Sequence, residues 1–138
     1  MTVKLVGHWE RAWQAPINEF DLWIHPIHEF NIDEFHMVPV SGIMKGRVIE
    51  HHDLQEVLDE NAELTHVYFD EEGDVSLSDF VHPEHALYIF GRTGLSPYKV
   101  YARPQDKVVR IESNANSGGF WSHQVAAMML YDRFLKTR

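Results

Sequence analysis

Apolar and aromatic residues fall in short runs separated by turn formers, and their spacing switches between a strand period and a helix period along the chain. Lys4-Leu5-Val6-Gly7-His8-Trp9 reads as a first strand and Phe20-Asp21-Leu22-Trp23-Ile24-His25 as a second, with room for one or two helical turns between them. From Asn31 to Gly46 the pattern is mixed and Pro39, Gly42 and Gly46 punctuate it, which predicts a loop with space for one short element. Asp53-Leu54-Gln55-Glu56 has the form of a capping box, in which Asp53 accepts from orphan N–H groups while Glu56 reaches back. A short helix to about Asn61 follows.

Thr65-His66-Val67-Tyr68-Phe69 predicts a third strand, Asp70-Glu71-Glu72-Gly73-Asp74 a solvated turn, and Ala86-Leu87-Tyr88-Ile89-Phe90 a strand buried on both faces that ends at Gly91. Lys107-Val108-Val109-Arg110-Ile111 is a further strand. Trp121 to Lys136 is the longest helical run, with Trp121, Val125, Met128, Met129 and Leu135 in an apolar stripe and Lys136 and Arg138 at its C-terminal dipole end. Strands alternating with helices predict an α/β domain on a mostly parallel sheet with flanking helices, in which ligands sit outside the carboxyl ends of the strands.

Composition narrows this picture. A chain of 138 residues has the length of one domain, 1–138, and can bury roughly two-thirds of its unfolded surface. Hydrophobic residues at 44% and aromatics at 12% argue against disorder. The absence of cysteine excludes disulfides, thiolate metal sites and a cysteine nucleophile. Met1 to Val6 is too short an apolar run for a signal peptide and no run approaches a membrane span, so a cytoplasmic protein is expected. A net charge of -9 repels phosphate on average, yet Arg92, Lys99, Arg103, Lys107, Arg110, Arg133, Lys136 and Arg138 all fall in the last third, leaving scope for a local basic patch. Ten histidines invite a metal reading, but Ile24-His25-Pro26 and His82-Pro83 read as non-helical, so the three-residue spacings His25/His28 and His82/His85 do not put two rings on one face. No metal site is predicted, and the histidines read as satisfied or solvated groups at strand ends.

Three features occur in an informative order: Leu87-Tyr88-Ile89-Phe90-Gly91 followed by Gly94-Leu95-Ser96; Val109-Arg110-Ile111; and Gly118-Gly119-Phe120-Trp121-Ser122 opening a helix with Val125-Ala126-Ala127 and Leu130-Tyr131. This order resembles the last two motifs of the SPOUT RNA methyltransferases, nearest the small tRNA ribose 2′-O-methyltransferases. The resemblance extends upstream through Asp21-Leu22-Trp23-Ile24-His25-Pro26, similar to the family's second strand and its proline, and His51-His52-Asp53-Leu54-Gln55, similar to a helix start. It implies a deep C-terminal trefoil knot, a homodimer, an RNA substrate with tRNA first, and S-adenosylmethionine as cofactor. The donor pocket it implies consists of Phe90, Gly91, Gly94, Leu95, Ile111, Glu112, Gly119 and Phe120, with glycines where main chain approaches the adenosine.

The sequence also departs from that pattern. The span from Glu10 to Glu19 is too short for the family's arginine-bearing helix after the first strand and holds one arginine, Arg11. Only Arg92-Thr93 separates Gly91 from Gly94, so the usual glutamate of that turn is gone, and Gly119-Phe120-Trp121 stands where the family has Ser-Leu-Asn. Arg11, Arg92 and His123 are the catalytic nominees. Trp121, at the start of an apolar stripe, reads as core rather than as a platform for a base. A catalytically degenerate knot protein that binds RNA, a nucleotide or a protein is the alternative, because positioned polar groups separate transition-state stabilisation from binding.

Overall fold

The computed structural model describes residues 1–9, 16–40, 48–92 and 95–138, with the side chains of 16–20 excepted. Its centre is a seven-stranded parallel sheet in the order β3-β2-β1-β6-β4-β7-β5. The strands are β1 (Thr2–His8), β2 (Glu34–Val38), β3 (Val48–Glu50), β4 (Thr65–Phe69), β5 (Val75–Ser76), β6 (His85–Ile89) and β7 (Lys107–Arg110). The helices are α1 (Pro16–His28), α2 (Leu54–Glu60), α3 (Pro97–Tyr101) and α4 (Ser122–Thr137). The expected α/β class with a parallel sheet and flanking helices is the observed one.

Alternation along the strands sorts the core into two layers. Leu5, Val67, Tyr88 and Val109 point to the face covered by α1 and α4, where Trp23, Ile27, Ala126, Met129 and Leu130 meet them. Val6, Tyr68, Leu87 and Ile89 point to the opposite face, against Leu54, Val57 and Leu58 of α2 and Tyr98 and Tyr101 of α3. Strands buried on both faces are a consequence of helices on both sides, and this is why Ala86 to Phe90 reads as a continuous apolar run.

Three expectations fail here. The segment expected as a second strand, Phe20 to His25, lies inside α1. Trp23 and Ile27 are four apart and both buried, with Ile24 beside them, so the period is helical. Pro26 sits in the last turn, where its missing N–H forfeits one backbone bond without ending the helix. The true second strand is β2, within the stretch expected to be mostly loop, and His25 and His28 are helical after all, both exposed. The Asp53 cap is present, its carboxylate accepting from Glu56 N–H at 3.1 Å, but Glu56 turns to His51 at 3.4 Å instead of reaching back. No helix among the described residues is long and apolar enough to cross a membrane.

His36, His66 and His82 are enclosed, as is His8 near the sheet's carboxyl edge, while His123 is half-buried there, and burial holds the pKa of all five below the ordinary value despite acids beside His36 and His82. Unfolded histidines take up protons near about pH 6.5, so below that pH the unfolded chain binds more protons than the folded one. Stability is therefore full above about pH 6.5 and is lost as pH falls toward the lowered folded values. Urea unfolding is expected to show a lower midpoint at about pH 5.5 than at about pH 7.5; equal midpoints would contradict it.

Candidate functional site

Strands β1, β6, β4 and β7 are neighbours and end at one edge of the sheet. The residues at or just past those ends, His8, Asp70, Glu71, Phe90, Gly91, Arg92 and Ile111, face a single cavity of about 430 Å³. That volume is within the range of roughly 300–1,000 Å³ typical of small-molecule sites. Ser117, Gly118, Phe120 and the start of α4 from Trp121 to Val125 supply the opposite wall.

The floor is aromatic. Phe69 and Phe90 stack with centroids 5.0 Å apart and planes 4° from parallel, and Phe90 is backed by the Trp23 edge at 5.6 Å. Ser122 Oγ donates to the Gly91 carbonyl, which pins the first turn of α4 to the end of β6. On the other side Ser96 Oγ donates to the Asp70 carboxylate and Tyr98 O–H to Glu72 at 2.6 Å, fixing α3 against the turn after β4. Two glycines are required by the chain itself. A Cβ on Gly91 would lie 2.5 Å from the Leu95 carbonyl oxygen and 2.8 Å from the Pro97 ring, so the tight turn itself requires glycine there. Gly118 has φ +66°, a left-handed backbone that favours glycine, and a Cβ there would fall 2.0 Å from Glu71 Oε2, the end of an exposed side chain that would have to swing aside.

Of the residues named from sequence, Phe90, Gly91, Arg92, Leu95, Ile111, Phe120 and His123 line this cavity. Glu112 does not, since its carboxylate accepts from Arg110 Nε at 2.7 Å on the surface, and the adjacent Gly118 occupies the wall in place of Gly119. Arg11 and Gly94 lie outside the described residues. Trp121, expected in the core, is 44% exposed and lines the cavity. His8, Asp70 and Glu71 carry no local sequence signal, because each lies far along the chain from the glycine turns. The signal that finds them is strand order, which makes the residues following parallel neighbours converge.

Among the described residues, most of the basic side chains of the last third are paired or buried. Lys99 pairs with Glu72 at 3.5 Å, Arg103 with Asp106 at 2.9 Å, Arg110 with Glu112 at 2.7 Å and Lys136 with Asp132 at 2.9 Å, while Arg133 is buried. Much of the positive charge of the last third is thus offset by adjacent carboxylates.

No protein-family model and no curated protein matches the sequence. Solved structures do. An assigned RNA methyltransferase from Bacillus anthracis superposes with a TM-score of 0.73 at 17% identity, covering 97% of this chain and 93% of that one. A structure concerned with 2-OH methylation of C/U34 on tRNA gives 0.72 at 15% identity, covering 98% and 95%. The SpoU methyltransferase AviRb from Streptomyces viridochromogenes, in complex with AdoMet, gives 0.70 at 13% identity, covering 96% of this chain and 58% of its own length. The fold is that of the SpoU-type SPOUT methyltransferases. In that SpoU frame the two glycine turns, the strand ending Arg110-Ile111 and the closing helix α4 surround the cavity described above.

Proposed function

We propose that this chain is a SPOUT-type RNA methyltransferase that holds S-adenosylmethionine in the 430 Å³ cavity and acts on a ribose 2′-oxygen of tRNA. The observation that carries this reading is the convergence of three separate stretches, Phe90, Gly91, Arg92 and Leu95, then Ile111 with Ser117 and Gly118, then Phe120 and the first turn of α4, on one cavity at the carboxyl edge of a SpoU-type sheet. The residues suit the donor. The Phe69–Phe90 stack, Ile111 and Val125 offer an apolar bed for an adenine, and Asp70 and Glu71 offer acceptors for ribose hydroxyls or for a cationic centre. When bound, S-adenosylmethionine supplies a methyl group activated by its sulfonium. The chain's own residues bind it, exclude water from it and orient the acceptor, and positioning supplies most of the rate gain.

The reading carries its family-level companions: a threaded segment between Gly91 and Gly119, a single domain over 1–138, a cytoplasmic location and a homodimer. The homodimer is supported by Leu22 of α1 and Tyr131, Phe134 and Leu135 of α4, which are 44%, 48%, 48% and 44% exposed. Titration of S-adenosylmethionine by calorimetry is expected to give saturable heat and a raised melting temperature. Gly118→Val, which forces a branched side chain into a left-handed backbone against Glu71, is expected to weaken that binding tenfold or more while the chain stays folded. No heat and no thermal shift for the unsubstituted protein at millimolar donor would sink the methyltransferase reading. Binding without transfer to total tRNA would favour the degenerate, purely binding protein.

A further inference from the structure

We propose that His8 is the proton acceptor of this site, taking the proton of the substrate hydroxyl at Nε2 while the Phe90 carbonyl holds its other ring nitrogen. This rests on the methyltransferase reading and names a residue it lacked. His8 closes β1 at the floor of the cavity and is 4% exposed. Its Nδ1 lies 2.7 Å from the Phe90 carbonyl oxygen. A carbonyl only accepts, so Nδ1 carries the hydrogen and the neutral ring keeps its lone pair on Nε2. Among the described residues Nε2 has no hydrogen-bond partner, and it is not among the fully enclosed unpaired atoms, so it opens on the cavity that His8 lines. A base with one tautomer fixed by backbone is pre-organised, needing no ring rotation to receive a proton.

Burial keeps the ring neutral near physiological pH, and Arg92 acts in the same direction. Among the described residues, the other charged or titratable groups lining the cavity are Asp70, Glu71 and His123; His123 sits edge-on to Trp23 at 6.5 Å. In the step proposed, the hydroxyl O–H bond breaks and its proton goes to Nε2. The oxygen's electron pair forms the new bond to the methyl carbon, and the C–S bond breaks with its pair retained on sulfur. The imidazolium then returns the proton to water.

His8→Asn is the informative variant, because an asparagine N–H can still reach the Phe90 carbonyl while the second ring nitrogen is gone. Three measurements are combined: nitrogen-15 NMR of the His8 ring, calorimetry with S-adenosylmethionine, and single-turnover methyl transfer to total tRNA across pH. Expected are a proton on Nδ1 alone at neutral pH, ring signals that move on donor binding, and a transfer rate rising with pH along a limb that titrates below the ordinary histidine value. His8→Asn is expected to lose that limb and about 100-fold or more in rate with donor affinity within twofold of the parent. A proton on Nε2 at neutral pH, ring signals unmoved by the donor, or an unchanged rate and limb in His8→Asn would each overturn the assignment while donor binding stands. Absence of donor binding in the unsubstituted protein is the separate failure of the methyltransferase reading, and it removes the base with it.

Discussion

Trp23→Ala is expected to lower stability by about 3–5 kcal/mol, the range for deleting a large aromatic from a packed interior. Trp23 is 0% exposed and is the largest of the fully buried side chains. Its ring meets Phe35 at 5.4 Å, Phe90 at 5.6 Å and His123 at 6.5 Å between centroids, so it joins α1, β2, the end of β6 and the start of α4. A cavity here cannot be filled by one neighbour, because those neighbours belong to different elements. Against a typical total of about 5–15 kcal/mol the loss is a large share, and the melting temperature should fall by roughly 10–20 °C. Because Phe90 and His123 line the cavity, donor affinity should fall as well. The reciprocal substitution tests the same contact from the sheet side: a Cβ on Gly7 would lie 2.8 Å from two Trp23 ring carbons, so Gly7→Ala overpacks a ring that cannot move aside. Thermal and urea unfolding measure both variants. A Trp23→Ala protein as stable as its parent would mean that α1 does not anchor this face.

Legibility in the sequence followed the length of each pattern and whether its polar members were partnered locally. Thr65 to Phe69, Ala86 to Phe90 and the α4 helix were plain because burial on one or both faces writes an unbroken period. β2 was hidden by His36, a polar residue at a fully buried position, whose ring is satisfied by His51 at 2.9 Å and Glu34 at 2.9 Å, partners invisible until the sheet forms. β3 and β5, of three and two residues, are too short to carry any period. α1 is hidden because Pro26 reads as a strand end, whereas the helix runs through it to His28. At the site, the glycine turns were legible from residues close together in sequence. His8, Asp70 and Glu71 were not, because they arrive through the neighbour relations β1-β6-β4, and strand order is a property of the whole sheet. Gly91 lines the cavity, and the side where a Cβ would lie is filled by Leu95 and Pro97, so local packing by itself requires glycine there.

The other end of α4 carries the second large expectation, that Arg133→Met costs on the order of 3–5 kcal/mol. Arg133 is 5% exposed and donates through Nη1 to the Pro83 carbonyl at 2.8 Å and to Tyr88 Oη at 2.6 Å, with its guanidinium carbon 5.8 Å from the Tyr88 ring centroid. The hydrogens run one way through this cluster. Tyr88, accepting from Arg133, donates to His82 Nδ1 at 2.8 Å, which leaves His82 Nε2–H to donate to Asp132 at 2.7 Å. That direction requires a neutral His82, in agreement with the lowering of its pKa by burial. Burial likewise pushes the Tyr88 phenol up to about 12. Asp132 is held in turn by Lys136 at 2.9 Å, which also donates to the Leu77 and Phe80 carbonyls at 2.7 and 3.0 Å. Methionine fills much of the arginine's volume but removes the donor from the part-buried Pro83 carbonyl and from the buried Tyr88 Oη, the costly case for a hydrogen bond. Lysine has hydrogens enough for both acceptors, which Arg133 serves from Nη1 alone, but it lacks the Nη2–H that faces the Glu84 carbonyl at 3.5 Å and the flat guanidinium beside the Tyr88 ring, and should recover only part of the loss. Since the first turn of α4 forms one wall of the cavity, loosening its far end should reach the site. Arg133→Met is expected to show a lower urea midpoint, faster amide exchange along 122–137 and weaker donor binding. An unchanged midpoint would show that α4 is held by its apolar face alone.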